Sequence, residues 1–230
     1  MRGPAENHAA LYLVATPIGN LGDITLRAIA VLREADWIAC EDTRRAKILL
    51  EQHQINTRLE LYHDRNQARK TPRLIALLTQ GQSGALITDA GSPGISDPGY
   101  TLAHAAVAAK IPVIPIPGPS AVIAALTASG LPCERFVFEG YLPRTSAKRR
   151  RRLENLADEK RTIVFYISPH RYIQELTEIM HHLGDRPACL AREMTKVHEE
   201  FRRGSLSGLA EQAMQDSIRG EITLVVGGEK

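Results

Sequence analysis

Short apolar runs that end in proline- or glycine-rich turns, each followed by helical patterning, constrain this chain more than any other feature. LYLVAT (11–16) is almost wholly apolar and stops at Pro17, the signature of a strand buried on both faces. PIGNLGD then makes a loop ending at Asp23, a good N-cap. The following ITLRAIAVLREA sets Ala28, Val31, Leu32 and Ala35 at the i, i+3, i+4, i+7 spacing of a helix. The alternation continues with WIACED as strand, RRAKILLEQH as helix, RLELYH as strand, a helix beginning near Pro72, and GALITD as strand. Asp97 and Pro98 predict the cap and first position of a helix through GYTLAHAAVAAK, and PVIPIPGPSAVIAALTASG adds a strand, a PGPS turn and a small-residue helix. Strands and helices alternating at this spacing predict an α/β fold with a parallel sheet covered on both faces.

A second set of elements follows FVFEGYLP and a basic run: RTIVFYIS, ACLARE and EITLVV as strands, with HRYIQELTEIMHHLG and SGLAEQAMQ as helices. The 230 residues suit two domains of about 100 residues each. The expected division is an N-terminal α/β domain over 11–140, a basic linker segment over 141–160 and a C-terminal α/β domain over 161–230.

Three strand ends lead into tight loops: TPIGN, TDAGSPG and IPGPSA. Ligands of open α/β sheets bind at the carboxyl ends of strands, so the three loops are expected to share one site. DAGSPGISDPG (89–99) spends three glycines and two prolines, which lets backbone approach a ligand closely. Asp89 could accept hydrogen bonds from a ligand's hydroxyls or amines, or could simply cap a turn; Ser120 could equally be a helix N-cap. Neither GxxxxGK[ST] nor GxGxxG occurs, which disfavours phosphoryl transfer and ordinary dinucleotide binding.

With 43% hydrophobic and 24% charged residues, and no apolar run near the roughly 18 residues of a membrane span, the chain reads as a soluble globular protein without a membrane partner. MRGPAENHAA shows no secretory pattern, so the cytoplasm is the default location. Cys40, Cys133 and Cys189 lie far apart in apolar surroundings and read as buried thiols; no metal site is expected. A net charge of +3, left by 29 basic and 26 acidic residues, excludes a general polycation, so any attraction to phosphate must be local. The run from Lys148 to Arg152 could provide it, or could be a solvated linker or helical turn.

LYLVATPIGNLGDITLRA, CEDTR, HDRNQ, TDAGSPGISDPG, IPGPSA, LPRTSAKRRRR, FYISPHR and LAREMTKVHEE, in that order, resemble the ribosomal RNA small subunit methyltransferase I family of the tetrapyrrole methylase superfamily. The resemblance implies two α/β domains with S-adenosylmethionine in the cleft between them, a homodimer, and 2'-O-methylation of a cytidine ribose in the decoding region of small-subunit (16S) rRNA. Its implied cofactor contacts are Pro17 and Ile18 in the first loop, Asp89, Ser92 and Ile95 in the second, Ser120 and Ala121 in GPSA, and Ile167, Met194 and Thr223 in the second domain. Glu193 or Lys196 could serve as catalytic base or orienter, the lysine only with a lowered pKa. Arg44, Arg45, His63, Asn66, Lys148, Arg149 and Arg150 could form a phosphate-binding rim for the rRNA or the 30S subunit. Where the family reads HxxNE this chain has His63, Asn66 and Gln67, without the carboxylate, and the family's extension beyond VVGG is not in this sequence. Two rival expectations stand beside this: the same fold methylating a tetrapyrrole small molecule, and a non-catalytic adenosylmethionine- and RNA-binding protein.

Overall fold

A computed structural model describes residues 9–215 and 219–229. The chain forms two compact units that divide between Ser120 and Ala121.

In the first unit the apolar runs become β1 (Leu11–Val14), β2 (Trp37–Cys40), β3 (Leu59–Leu61), β4 (Gly84–Leu86) and β5 (Val113–Ile116). They lie in the order β3-β2-β4-β1-β5, and every neighbouring pair is parallel. The helices α1 (Leu26–Glu34) and α2 (Thr43–Gln52) cover one face, packing Ala28, Leu32, Leu49 and Leu50 against Val14, Ile38 and Ile87. On the other face α3 (Gln67–Thr79) and α4 (Tyr100–Ala108) pack Leu74, Leu78, Leu102 and Ala106 against Leu11, Trp37 and Leu86. Burial on both faces is why β1, β2 and β4 carry no polar alternation, while the edge strands are less covered: β3 holds Glu60, and Ile114 and Pro115 of β5 are exposed.

Helix starts differ from the sequence expectation for local reasons. Asp23 closes a short 3₁₀ turn, and Thr25 caps α1, its Oγ1 accepting from Ala28 N at 3.1 Å. α3 begins five residues before Pro72, because the N–H groups of Asn66 and Gln67 both donate to His63 O at 2.9 Å and start the first turn. α4 begins at Tyr100, not at Pro98: the loop folds back so tightly that a Cβ on Gly99 would lie 2.6 Å from Gly94 N.

The second unit holds α5 (Ala121–Ala128), β6 (Phe136–Tyr141), α6 (Ser146–Glu154), β7 (Thr162–Ile167), α7 (Tyr172–Leu183), β8 (Pro187–Arg192), β9 (Glu200–Ser205), α8 (Leu206–Gln215) and β10 (Ile222–Val226). Its sheet order is β6-β7-β10-β8-β9; β6 and β7 are parallel and the other pairs antiparallel. Leu153 of α6, Leu176 and Ile179 of α7 and Leu209 of α8 meet Phe165, Leu190 and Leu224 in its core. The division therefore falls some twenty residues before the expected boundary, since β6 hydrogen-bonds to β7 along its length. Segment 141–160 is no linker: it contains α6, anchored by Leu153 and Leu156. β9 was not foreseen. EFRRGS is too polar to read as a strand, but it pairs with β8 alone, and a half-exposed edge accepts charge.

Candidate functional site

β1 and β4 are neighbours in the first sheet, so their carboxyl-end loops meet. Thr16 N donates to Gly91 O at 2.9 Å, Gly91 N returns a bond to Thr16 O at 3.0 Å, and Thr16 Oγ1 donates to Thr88 O at 3.0 Å. Gly91 sits at φ +76, a left-handed conformation that glycine adopts without steric cost. The third loop joins them: a Cβ on Gly118 would stand 3.1 Å from Ala15 Cβ. Sequence reasoning expected the three loops side by side but missed Thr16, whose hydroxyl and backbone tie the first two together. Its position as the one polar residue ending LYLVAT was the available signal.

Beside the first two loops lies a pocket of about 110 Å³, lined among others by Pro17, Cys40, Arg45, Leu49, Thr88 and Asp89; no residue of the third loop lines it. Burial pushes the Asp89 carboxyl above its ordinary range, while Arg45 Nη1, 3.2 Å from Oδ2, pulls it back. Cys40, pushed up to about 12 by burial and then by Asp89 and Asp42, is an inert wall. Pro17 and Asp89 thus meet as expected. Ile18 is 8% exposed and lies against Gly91, while Ile95 is 45% exposed; neither lines the pocket, and nor does Ser92. Ser120 and Ala121 straddle the division of the chain and are half-buried.

The residues present fit part of S-adenosylmethionine. A half-buried carboxylate suits its hydroxyl, amino and sulfonium groups, small residues bare the strand-end backbone, and Pro17 and Leu49 give apolar wall. A pocket of this size takes only a portion of a ligand that large.

In the second unit, Ile167 pairs with Ile222 and its side chain joins the helix-covered core, so it can offer a ligand its backbone alone. Thr223 faces the other side of the sheet, one residue on from Ile222. Beyond β8 the chain bends through two non-glycine residues with positive φ, Glu193 at +48 and Thr195 at +69, around the buried Met194. Glu193 Oε1 accepts from Glu221 N and from Lys196 Nζ, both at 2.9 Å, and Lys196 also reaches Glu221 Oε2 at 2.9 Å. Although burial opposes it, this pairing holds the Lys196 pKa above its ordinary value and the Glu193 pKa below its own. The shift of Lys196 is the reverse of what a base requires, and its ammonium is held between two carboxylates, which favours the orienting role.

The expected phosphate rim is also altered. Arg149 is 1% exposed; its Nη2 donates to Glu178 Oε1 at 2.7 Å and its Nη1 to the carbonyls of Pro143 and Arg144 at 3.1 and 3.0 Å. It is a core residue with no face left for RNA. Asn66 spends its amide on its own turn, Oδ1 accepting from His63 N and Nδ2 donating to Leu61 O. Arg45 belongs to the Asp89 pocket, and Arg44 forks onto Asp42 at 2.8 and 3.2 Å. Lys148 and Arg150 remain exposed on α6, and His63 is half-buried. Cys133 is exposed, against expectation, since its turn precedes β6 and enters no strand.

Both units, taken with the strand-end loops, define a class: the sequence profile of Tetrapyrrole (Corrin/Porphyrin) Methylases matches residues 10–210. Solved structures agree at the level of fold. The X-ray structure of a cobalt precorrin-4 methyltransferase aligns with TM-score 0.70 at 18% identity, covering 99% of this chain and 98% of that one. A uroporphyrin-III C-methyltransferase from Thermus thermophilus, complexed with S-adenosylhomocysteine, aligns with TM-score 0.67 at 18% identity over 95% and 97%. Curated relatives are far nearer in sequence. "Ribosomal RNA small subunit methyltransferase I" of Halalkalibacterium halodurans is 49% identical over 97% of this chain and 77% of its own length. The protein of the same name from Thermotoga maritima is 44% identical over 96% of this chain and 99% of its own. The chain belongs to the ribosomal RNA small subunit methyltransferase I family of the tetrapyrrole methylases.

Proposed function

We propose that this protein transfers a methyl group from S-adenosylmethionine to the ribose 2'-hydroxyl of a cytidine in the decoding region of small-subunit rRNA. The observation that carries this is the 49% identity to a named rRNA methyltransferase over nearly the whole chain. The strand-end pocket with Asp89 gives it a physical basis. When bound, the cofactor would supply an electrophilic methyl on sulfonium sulfur: the O–C bond would form as the C–S bond breaks, the electron pair leaving with sulfur as S-adenosylhomocysteine and the hydroxyl proton passing to water.

The chain's own task is alignment, which in the best intramolecular models is worth about 7–11 kcal/mol. Asp89 accepts from cofactor hydroxyl or amine groups, with Arg45 opposing the burial that favours its neutral form; Pro17 and the Thr16–Gly91 staple hold the backbone beside it. Glu193 and Lys196 are positioning residues that clamp the turn before β10. Ser120 and Ala121 offer backbone, and the family resemblance assigns Met194 and Thr223 to cofactor contact. Arg44, Lys148 and Arg150 contact the RNA. The family resemblance supports a cytoplasmic homodimer.

Labelled S-adenosylmethionine offered with 30S subunits, naked small-subunit rRNA or tetrapyrrole precursors tests the reading. Label is expected in rRNA, at a cytidine whose 3' phosphodiester resists alkali. Label in the tetrapyrrole, or in neither, overturns it. In the same assay Asp89→Asn is expected to weaken cofactor binding about tenfold, the loss of one charge-assisted hydrogen bond.

A further inference from the structure

Segment 58–73 contains five arginines and lysines (Arg58, Arg65, Arg69, Lys70 and Arg73) against two carboxylates, Glu60 and Asp64. Its surplus of three positive charges equals the +3 of the entire chain, so the remainder of the protein is balanced. Folding concentrates this surplus. Glu60, 4% exposed in β3, is gripped by three cations: Lys70 Nζ lies 2.9 Å from Oε2, Arg73 Nη2 lies 3.1 Å from Oε1, and Arg58 shares Oε1. Both carboxylate oxygens are committed, yet two of the three charges around them remain uncompensated. The side chains of Arg58 and Arg73 are 56% and 51% exposed, with guanidinium donors to spare. Arg69 stands one helical turn before Arg73 on the same face of α3, and Arg65 lies in the turn leading into that helix; both are exposed.

The stripe has a direction. α3 starts at the carboxyl end of β3, the edge strand of the parallel sheet, and β3 lies two strands, about 10 Å, from β4, whose end carries Asp89. Arg65 and Arg69 therefore sit on the rim that holds the cofactor loops, and Arg73 and Arg58 continue the charge down the sheet edge. One buried carboxylate would have sufficed to pair one cation. Four exposed arginines along one sheet edge and its adjoining helix suit a polyanion, because arginine forks match phosphate oxygens and their charge draws the backbone in.

We propose that the edge formed by Arg58, Arg65, Arg69 and Arg73 is a docking track for the sugar-phosphate backbone of the rRNA substrate, leading the strand toward the Asp89 pocket. This rests on the rRNA reading above and adds to it a site on the first unit that the basic run on α6 does not provide.

Filter binding of naked small-subunit rRNA to the 230-residue protein across a potassium chloride series tests the track, with cofactor binding and thermal midpoint measured alongside. Arg65→Gln with Arg69→Gln leaves the grip on Glu60 intact, and is expected to lower the slope of log K against log salt by about 2 while cofactor affinity and midpoint stay unchanged. Arg58→Gln with Arg73→Gln is expected to lower the slope by a similar amount with cofactor affinity unchanged, but with a lower midpoint, because the buried Glu60 loses two of its three cations. Lysine at these positions keeps the charge and should restore most of the slope. Unchanged slopes in both double variants, with steep salt dependence in the wild type, overturn the track and leave the methyltransferase reading intact. Failure of the wild type to bind rRNA overturns both. A normal slope on naked rRNA but weakened binding to 30S subunits would assign the edge to ribosomal protein and also overturn the track.

Discussion

Trp37 is fully buried in β2, and its ring occupies the space where a side chain on the facing Gly84 would be: a Cβ there would lie 2.1 Å from the indole. Gly84→Ala is expected to cost about 1–3 kcal/mol by overpacking, readable as a lower denaturant midpoint at unchanged m-value. Arg149 behaves as the same kind of internal part. Arg149→Met should destabilise by about 2–3 kcal/mol, because Glu178 and two backbone carbonyls lose their donor, whereas Arg150→Met, at an exposed site, should change stability by less than about 0.5 kcal/mol. The pH dependence follows from the same pair. Arg149 holds the Glu178 carboxyl below its ordinary 4.5, so the stabilisation is full above that value and is lost as pH falls through the lower folded-state pKa. In Arg149→Met that share of the acid-side loss should vanish, so the two stability curves converge below pH 4.5.

Among the elements, α6 and the bend beyond β8 behave least like their sequences. KRRRR invites trypsin, yet α6 is tied to the core through Leu153 and Arg149. Cleavage there should follow local unfolding and be slow in the wild type, then accelerate in Arg149→Met; rapid nicking of the wild type would mean that the helix is not anchored. The bend at Glu193 and Thr195 is clamped by Lys196, whose pKa is raised by its two carboxylate partners. The methyl-transfer pH profile should therefore show no lysine ionisation below 10.5, and Lys196→Met should lower the rate without removing an alkaline limb. A limb that disappears in this variant would restore the lysine as base.

At the scale of the whole molecule, two compact units each own a sheet and a core. Gly84→Ala and Arg149→Met strike different units, so in denaturant each should displace its own part of the unfolding curve; identical shifts of one transition would show a single cooperative block. The strand–loop–helix punctuation of residues 11–128 was legible in the sequence because strands buried on both faces leave unbroken apolar runs, and the three loops at their ends were legible because glycine and proline mark tight turns. The second sheet was legible in part. Its central strands are apolar, but β6 and β9 lie at its edges: β9 is half-exposed and polar, so nothing local distinguishes it from a loop, while β6, though apolar, is broken by Glu139 and Gly140 where its register to β7 shifts.

By itself the sequence determined the fold class, the grouping of the strand-end loops and the family, since these depend on periodicity and on ordered motifs. Only the tertiary structure decided which charges are free. In one dimension Arg149 and Arg150 are equivalent, but a helix turns 100° between them and places one in the core and one in water. Arg45 was assigned to RNA until folding put it 3.2 Å from Asp89. Lys196 could be read as a base until two carboxylates closed around it. The arginines of 58–73, scattered among ordinary residues, became one stripe once β3 and α3 packed side by side. Charge acts through distance in space, and chain order does not specify that distance until the fold is formed.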